Sequence, residues 1–508
     1  MRQSPHQTQN YILMSKIYDI IRNLAQDHPH KIALTLPYKK NGSVGNLTYQ
    51  ELVCAVDIIA KLIKERKYKN IALLLDNSKE WIFIDLACMK LGITLTPIPQ
   101  FFSEEQISNL INNAGIEYII TDESDRFNFL NHKTISTFLT PNISLLELSN
   151  PTRNDIPENT TKITFTSGTS SKAKGVCLTS ENIEKVVFSL VERIGKENAV
   201  NNLLLFPLAI LLENIAGVYC ALCSGAKVTI LPLKLTGINI SGDINLKYFV
   251  NALEKLEATS FIITPELLKL LIYLVKSDKI TLSKANFIAI GGAVVAKDLL
   301  LEAEKLGLPI YQGYGLSEFS SVVCLNSIKD NKIGSVGKKL PHTQIKIASD
   351  GEILLKGNNF IGYVGDNINN DDWYKTGDLG YLDEDEYLFI TGRKKNIIIT
   401  SMGRNFSPEW VESELLKNTP ISQAVIFGDS KKCNIAIIVP SINRHDHSLL
   451  KKVIDDVNHK LPEYARINSF LVAKEKFNLL NNMLTANGRV RRGEVYKSYE
   501  SRIKNLIK

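Results

Sequence analysis

The run Ile163-Thr164-Phe165-Thr166-Ser167-Gly168-Thr169-Ser170-Ser171-Lys172-Ala173-Lys174-Gly175 leads from an apolar, β-prone stretch into hydroxyl residues, glycine and lysine. A loop of this composition wraps backbone N–H groups and hydroxyls around phosphate oxygens, while Lys174 offers a point positive charge. The Gly-Lys-Ser/Thr ending of a Walker A loop is absent. A solvated Ser/Gly linker is the bland alternative, and the strand directly before the loop weighs against it.

Further along stands Gln312-Gly313-Tyr314-Gly315-Leu316-Ser317-Glu318. Its glycines permit close backbone approach, Tyr314 presents an aromatic face for a purine, and Glu318 offers a hard oxygen suited to Mg²⁺. Taken alone, it could pass for a dinucleotide fingerprint that lacks its third glycine. In Trp373-Tyr374-Lys375-Thr376-Gly377-Asp378-Leu379-Gly380, a carboxylate in a Gly-flanked turn could accept hydrogen bonds from two ribose hydroxyls, although Asp beside Gly is more often plain turn chemistry. Gly392-Arg393-Lys394-Lys395 reads by itself as a charged linker.

Together, in this order and spacing, these segments resemble the adenylate-forming superfamily of AMP-dependent synthetases and ligases, which includes acyl-CoA synthetases, luciferases and peptide-synthetase adenylation domains. The likeness is to the long-chain fatty acyl-CoA synthetases in particular and runs from about Tyr18 to Arg492. The usual phosphate loop is Thr-Ser-Gly-Thr-Thr-Gly-x-Pro-Lys-Gly. This chain keeps Thr166, Ser167, Gly168, Thr169, Lys174 and Gly175 and departs at Ser171 and Ala173. The resemblance implies that Tyr314 packs on adenine beside Gly315, Ser317 touches the α-phosphate and Glu318 binds Mg²⁺. It also implies that Gly291-Gly292-Ala293 lies along the nucleotide, that Asp378 and Arg393 hold the ribose, and that Lys395 is the hinge of a swinging domain. Gly403 to Glu412 fits the segment whose glycine loop borders a thiol tunnel.

The implied chemistry consumes ATP and converts a carboxylic acid to an acyl-AMP with loss of pyrophosphate. The acyl group then passes to a thiol, that of coenzyme A or of an acyl carrier protein. Two departures matter. Thr485-Ala486-Asn487-Gly488-Arg489 aligns with a segment whose lysine bridges the carboxylate and the α-phosphate, and Arg489 stands in that position. Arginine keeps the charge but has a larger, planar head, so a weakly catalytic nucleotide-binding scaffold is a competing reading. Ile210 replaces a common histidine near the carboxylate, leaving a pocket wall from Ile210 to Gly217 that is largely apolar apart from Glu213. A fatty or aryl acid is therefore expected over an amino acid, whose ammonium group would need an acidic partner.

Positioning these groups calls for a large α/β scaffold. Ile71 to Leu75, Trp81 to Leu91 and Ile93 to Thr96 form a strand–helix–strand pattern. Phe261 to Ile263, a helix from Pro265, and Phe287 to Ile290 repeat it, and such units build parallel sheets covered on both faces. Lys227 to Leu231 reads as another buried strand. Beyond Ser349, the short strands Glu352 to Lys356, Tyr381 to Asp383 and Tyr387 to Thr391 suggest an antiparallel meander or a small barrel-like β subdomain. Ser407-Pro408-Glu409 reads as a helix start with serine at the N-cap. We expect stacked βα sheets in an N-terminal AMP- and acyl-binding domain, residues 1–392, and a mobile α+β lid, residues 393–508.

The composition fits. The chain of 508 residues is 44% hydrophobic and 22% charged, as in ordinary globular proteins, and exceeds what one core organises. A net charge of +7 without a dense basic run suits anionic small molecules and predicts no nucleic-acid groove. The polar start, Met1 to Asn10, lacks a signal-peptide core. Pro207, Glu213 and Asn214 break the apolar stretch Leu203 to Leu222, so a buried segment is expected there, with at most peripheral membrane contact. The seven cysteines are widely scattered, and the Cys220/Cys223 pair, with no second pair to complete a zinc site, reads as buried thiols; all this points to a reducing cytoplasm.

Overall fold

Short apolar runs become strands here wherever helices can cover them, and the first such unit is typical. Asn70–Leu74 is buried along its whole length. It leads to the helix Lys79–Leu91, opened by the Ser78 side chain accepting from the Trp81 N–H and closed by Gly92 at φ +64°. The chain then returns as Thr94–Pro97, parallel to the first strand. The computed structural model describes residues 15–36, 45–149, 155–166, 174–239, 243–293, 295–367, 372–400, 404–428, 433–441, 446–485 and 488–507.

Among these residues, two nine-stranded sheets and a four-stranded antiparallel sheet build the larger part of the molecule. In the first sheet, Thr94–Pro97, Asn70–Leu74 and Tyr118–Thr121 are parallel. The antiparallel hairpin Lys162–Thr166/Lys174–Leu178 extends it, with Thr166 opposite Lys174 as its last pair. In the second, Asn201–Leu203, Ser260–Ile263, Phe287–Ile290 and Ile310–Tyr314 run parallel. The glycine-rich segments after Ile290 and Tyr314 therefore leave the sheet side by side at the C-terminal ends of their strands, the usual ligand edge of such sheets.

The antiparallel sheet has the order Thr343–Ile347, Glu352–Gly357, Tyr374–Leu382, Leu388–Arg393, the expected meander. One local reading needs correction. Asp378 lies within a nine-residue strand, paired with Arg393, and not in a turn. Gly377, at φ +71°, and Gly380, where a Cβ would sit 2.3 Å from the Phe389 carbonyl oxygen, serve a register shift between Leu379 and Gly380.

The C-terminal part folds around Ile421–Phe427, Asn434–Pro440 and Ile467–Val472. Alternate residues face two cores: Ala424, Ile426, Ala436 and Ile438 pack against the helices Pro408–Leu416 and His447–Lys460, while Val425, Ile435 and Ile437 pack on Arg492–Ile507. Pro408 opens its helix as expected. The Ser407 hydroxyl instead donates to Glu409 at 2.7 Å and makes no cap bond. The apolar stretch at Leu203 to Leu222 is buried as a strand end and a helix with a π-helical turn at Glu213–Tyr219. No helix among the described residues is long and apolar enough to cross a membrane. All seven cysteines are free thiols, and Cys220 and Cys223 are buried.

Candidate active site

Asp378 anchors the site. Strand pairing sets it opposite Arg393, whose Nε lies 2.7 Å from Oδ1, and the Tyr314 hydroxyl donates to Oδ2 at 2.7 Å. Thr376 Oγ1 accepts from the Asp378 N–H at 3.0 Å and donates to the Ile353 carbonyl at 2.8 Å, which fixes the strand around the carboxylate. Burial, reinforced by the neighbouring Asp378 charge, holds the Tyr314 phenol well above its ordinary range, so it stays a donor. Arg393 and Tyr314 thus hold the Asp378 carboxylate from two sides.

Glu318 sits in a 3₁₀ turn, Ser317–Phe319, just past that tyrosine. Gly315 makes the turn possible, because a Cβ there would fall 1.6 Å from the Ser321 carbonyl oxygen. Ser320 and Ser321 take positive φ values of 53° and 93° to complete it. The Tyr363 hydroxyl donates to Glu318 Oε1 at 3.1 Å, and Tyr374 bonds both Tyr363, at 3.3 Å, and the same carboxylate. Lys174 Nζ lies 4.6 Å from the centre of the Tyr363 ring. Tyr363 therefore stands between Lys174 and the Glu318 carboxylate. Tyr363 was missed in the sequence; Tyr374 lies inside the Trp373 to Gly380 segment without having been singled out.

Gly291 and Gly292 follow the neighbouring parallel strand, Phe287–Ile290. A Cβ on Gly291 would meet the Gly313 carbonyl oxygen at 3.4 Å, and Gly292 has φ +87°. Ala293 continues this turn. Here the C-terminal part arrives: Arg489 Nε donates to the Gly292 carbonyl oxygen across 197 residues of sequence. The Arg489 backbone closes a small turn with Thr485, whose N–H donates to the Arg489 carbonyl at 2.8 Å and whose Oγ1 accepts from the Arg489 N–H at 3.0 Å. Burial first, and then the Arg393 charge, lower the proton affinity of Arg489, while Asp378, Tyr314 and Glu318 oppose the shift. Lys395 is likewise lowered, by burial and then by Arg393, with Asp378 opposing and Arg489 adding to the shift. Three cations thus crowd one buried carboxylate, an arrangement that favours an added anion.

The sequence-derived groups Lys174, Gly291, Gly292, Ala293, Tyr314, Gly315, Ser317, Glu318, Asp378, Arg393, Lys395 and Arg489 all fall in described segments. Of these, Tyr314, Glu318, Asp378, Arg393, Lys395 and Arg489 act on one another electrostatically. No side-chain hydrogen bond ties Ser317 to them. Thr166 enters through its backbone pairing, while Ser167, Gly168, Thr169 and Gly403 lie outside the described residues. No cluster of three metal-ligating side chains occurs among the described residues. A single carboxylate completed by phosphate oxygens and water is how Mg²⁺ is commonly held, and Glu318 fits that role.

In the segment expected to face the acyl group, Glu213 is buried, with Oε1 accepting from the Leu205 N–H at 2.8 Å and the Phe206 N–H at 3.4 Å. Burial pushes its carboxyl up to about 8. Beside it, Lys162 bonds Asp85 and Tyr219, each at 2.8 Å, together with Asn214. Asn214 and Tyr219 are thus pinned to the strand Lys162–Thr166 through Lys162 and Asp85, while Glu213 Oε2 is buried without a hydrogen-bond partner among the described residues.

Sequence comparison matches residues 21–364 to the family described as AMP-binding enzyme and residues 395–508 to the AMP-binding enzyme C-terminal domain. The chain is 46% identical over 147 residues to the long-chain-fatty-acid–CoA ligase FadD15 of Mycobacterium bovis, a match spanning 28% of this chain and 24% of that protein. It is 23% identical to human long-chain-fatty-acid–CoA ligase 1 over 91% of this chain and 82% of that one. In structure it is similar to the anthranilate CoA ligase AuaEII, crystallised with anthranoyl-AMP, at a TM-score of 0.78, 18% identity, and coverage of 97% and 99% of the two chains. With the fold, the order of the motifs and the family match in agreement, the chain belongs to the AMP-binding enzyme family.

Proposed function

We propose that this chain activates a carboxylic acid with ATP to give an acyl-AMP and then transfers the acyl group to the thiol of coenzyme A. The observation that carries this reading is the cluster of Arg393, Lys395 and Arg489 around Asp378, next to Glu318 and Lys174. Bringing a carboxylate against a triphosphate joins two anions, so catalysis depends on positioning and fixed positive charge. Tyr314 and the Gly291-Gly292 turn sandwich the adenine, and Asp378 accepts from the ribose. Lys174 and the hydroxyl-rich loop hold the β- and γ-phosphates. Mg²⁺ on Glu318 would supply further charge neutralisation at the phosphates. An oxygen of the substrate carboxylate attacks the α-phosphorus as the bond to pyrophosphate breaks, with Arg489 holding both reacting groups. The thiol sulfur then attacks the acyl carbonyl, AMP leaves, and the thiol proton passes to solvent.

An apolar fatty or aryl acid suits the Ile210 to Gly217 wall. With Glu213 protonated at neutral pH and Asp85 neutralised by Lys162, no carboxylate there is available for a substrate ammonium group. Residues 1–392 would form the binding domain and 393–508 the lid, hinged at Lys395. ATP–pyrophosphate exchange across a panel of fatty and aryl acids, followed by addition of CoA, tests the reading. Acid-dependent exchange and CoA consumption are expected. No exchange with any acid would refute it, and exchange without CoA consumption would move the acceptor to a carrier protein.

A further inference from the structure

The helix Pro265–Lys276 follows Ser260–Ile263 and buries Leu267, Leu268, Leu271, Ile272 and Leu274 in the larger part of the molecule. Its opposite face meets the C-terminal part through Lys269. The Lys269 ammonium donates to the carbonyl oxygens of Leu416, Asn418 and Ile421 at 3.1, 3.1 and 2.9 Å. An ammonium has three N–H donors, so all three are used on one target. That target is the C-terminal end of the helix Pro408–Leu416 and the segment after it, where carbonyls lack helical partners and a cation is favoured.

Two ion pairs flank this contact, Glu266–Lys476 at 2.9 Å and Asp298–Lys417 at 2.7 Å. Their carboxylates are 40% and 64% exposed, and such surface pairs contribute little. The Lys269 contact is the more enclosed, and burial lowers the proton affinity of its ammonium. The same helix also borders the Arg489 turn: the Thr264 methyl lies 3.8 Å from where a Cβ on Gly488 would sit. Whatever fixes the Pro408 helix against the Pro265 helix therefore also fixes how far Arg489 reaches towards Gly292.

We propose that Lys269 is a positioning residue that seats the C-terminal part over the site for acid activation, by giving its ammonium to three carbonyls at the end of the Pro408 helix. The inference rests on the two-step reading above for its kinetic meaning, but its structural content is independent of it. Any rotation of the lid about Lys395 returns the ammonium and three carbonyls to water, so the contact favours the arrangement in which Arg489 is delivered.

The test uses the full chain with Lys269→Met, which keeps the apolar stem and removes the charge, and Lys269→Arg as the conservative variant. Pyrophosphate exchange should fall roughly 10- to 100-fold in Lys269→Met, the loss of a charge-assisted contact, and recover in part in Lys269→Arg. Thioester formation from synthetic acyl-AMP should stay within about threefold, a margin well under one such contact. An equal fall in both half-reactions would indicate a merely structural role and overturn the proposal. A second readout needs no substrate. Spin labels at Tyr248→Cys and Leu449→Cys, in a Cys54→Ser, Cys433→Ser background, report the distance between the two parts. A narrow distribution in the parent that broadens in Lys269→Met supports the contact. The same distribution in both proteins, narrow or broad, overturns it. If the parent exchanges with no acid, the two-step reading fails while the label distances still decide the role of Lys269.

Discussion

Replacing Arg489 asks most of the site, because it occupies the place where a lysine is usual. In Arg489→Ala the guanidinium that touches Gly292 and faces Asp378, Tyr314 and Glu318 is lost from a largely enclosed position. Its crowding with Arg393 is relieved when an anion arrives, so its contribution grows as charge develops between the carboxylate and the α-phosphorus. Deleting one preorganised donor to such charge costs about 3–4 kcal/mol, or roughly 10²- to 10³-fold in rate. Arg489→Lys keeps the charge but loses the Nε bond to Gly292, and a fall of about tenfold is expected from one such contact. Pyrophosphate exchange at saturating ATP is the assay, with thermal melting as the folding control. Thioester formation from synthetic acyl-AMP should change far less than exchange in both variants. If Arg489→Ala exchanges within about threefold of the parent, less than one hydrogen bond's worth, Arg489 does not serve the first half-reaction.

Asp378→Asn keeps the shape but removes the charge paired with Arg393, and we expect KM for ATP to rise roughly 10- to 100-fold while the melting temperature falls; an unchanged KM would remove Asp378 from the ribose site. Asp85→Asn strands Lys162, which is only 3% exposed, and a buried ion left without its partner costs about 3–5 kcal/mol, readable in denaturant melts. A loss under about 1 kcal/mol would mean that Asn214 and Tyr219 suffice. Glu213 has a folded-state pKa raised to about 8, so its contribution to stability is intact below the unfolded value near 4.5 and is lost as pH rises through 8. Glu213→Gln should therefore match the parent near pH 4.5 and melt higher than it above pH 8; parallel pH profiles would show that the carboxyl is ionised in the folded state.

Much of this protein could be read along the chain, and the reason is locality. Alternating apolar runs and helix caps specify the parallel units at Asn70–Leu74 and Lys79–Leu91, because propensity and periodicity act within a few residues. The chemical types of Lys174, Tyr314, Glu318, Asp378 and Arg393 are likewise written in contiguous segments, and so is the departure at Arg489. Contacts between segments were not legible. Asp378 looked like a turn residue until strand register set it opposite Arg393. Tyr363 gained its place between Lys174 and Glu318 only when three distant elements met. Nothing in the sequence marks Lys269, and only the docking of the C-terminal part turns its ammonium towards three carbonyls. Sequence spacing is one-dimensional, whereas register and docking are settled by burying apolar faces far apart in the chain; the residues were given by the first, and their partners by the second.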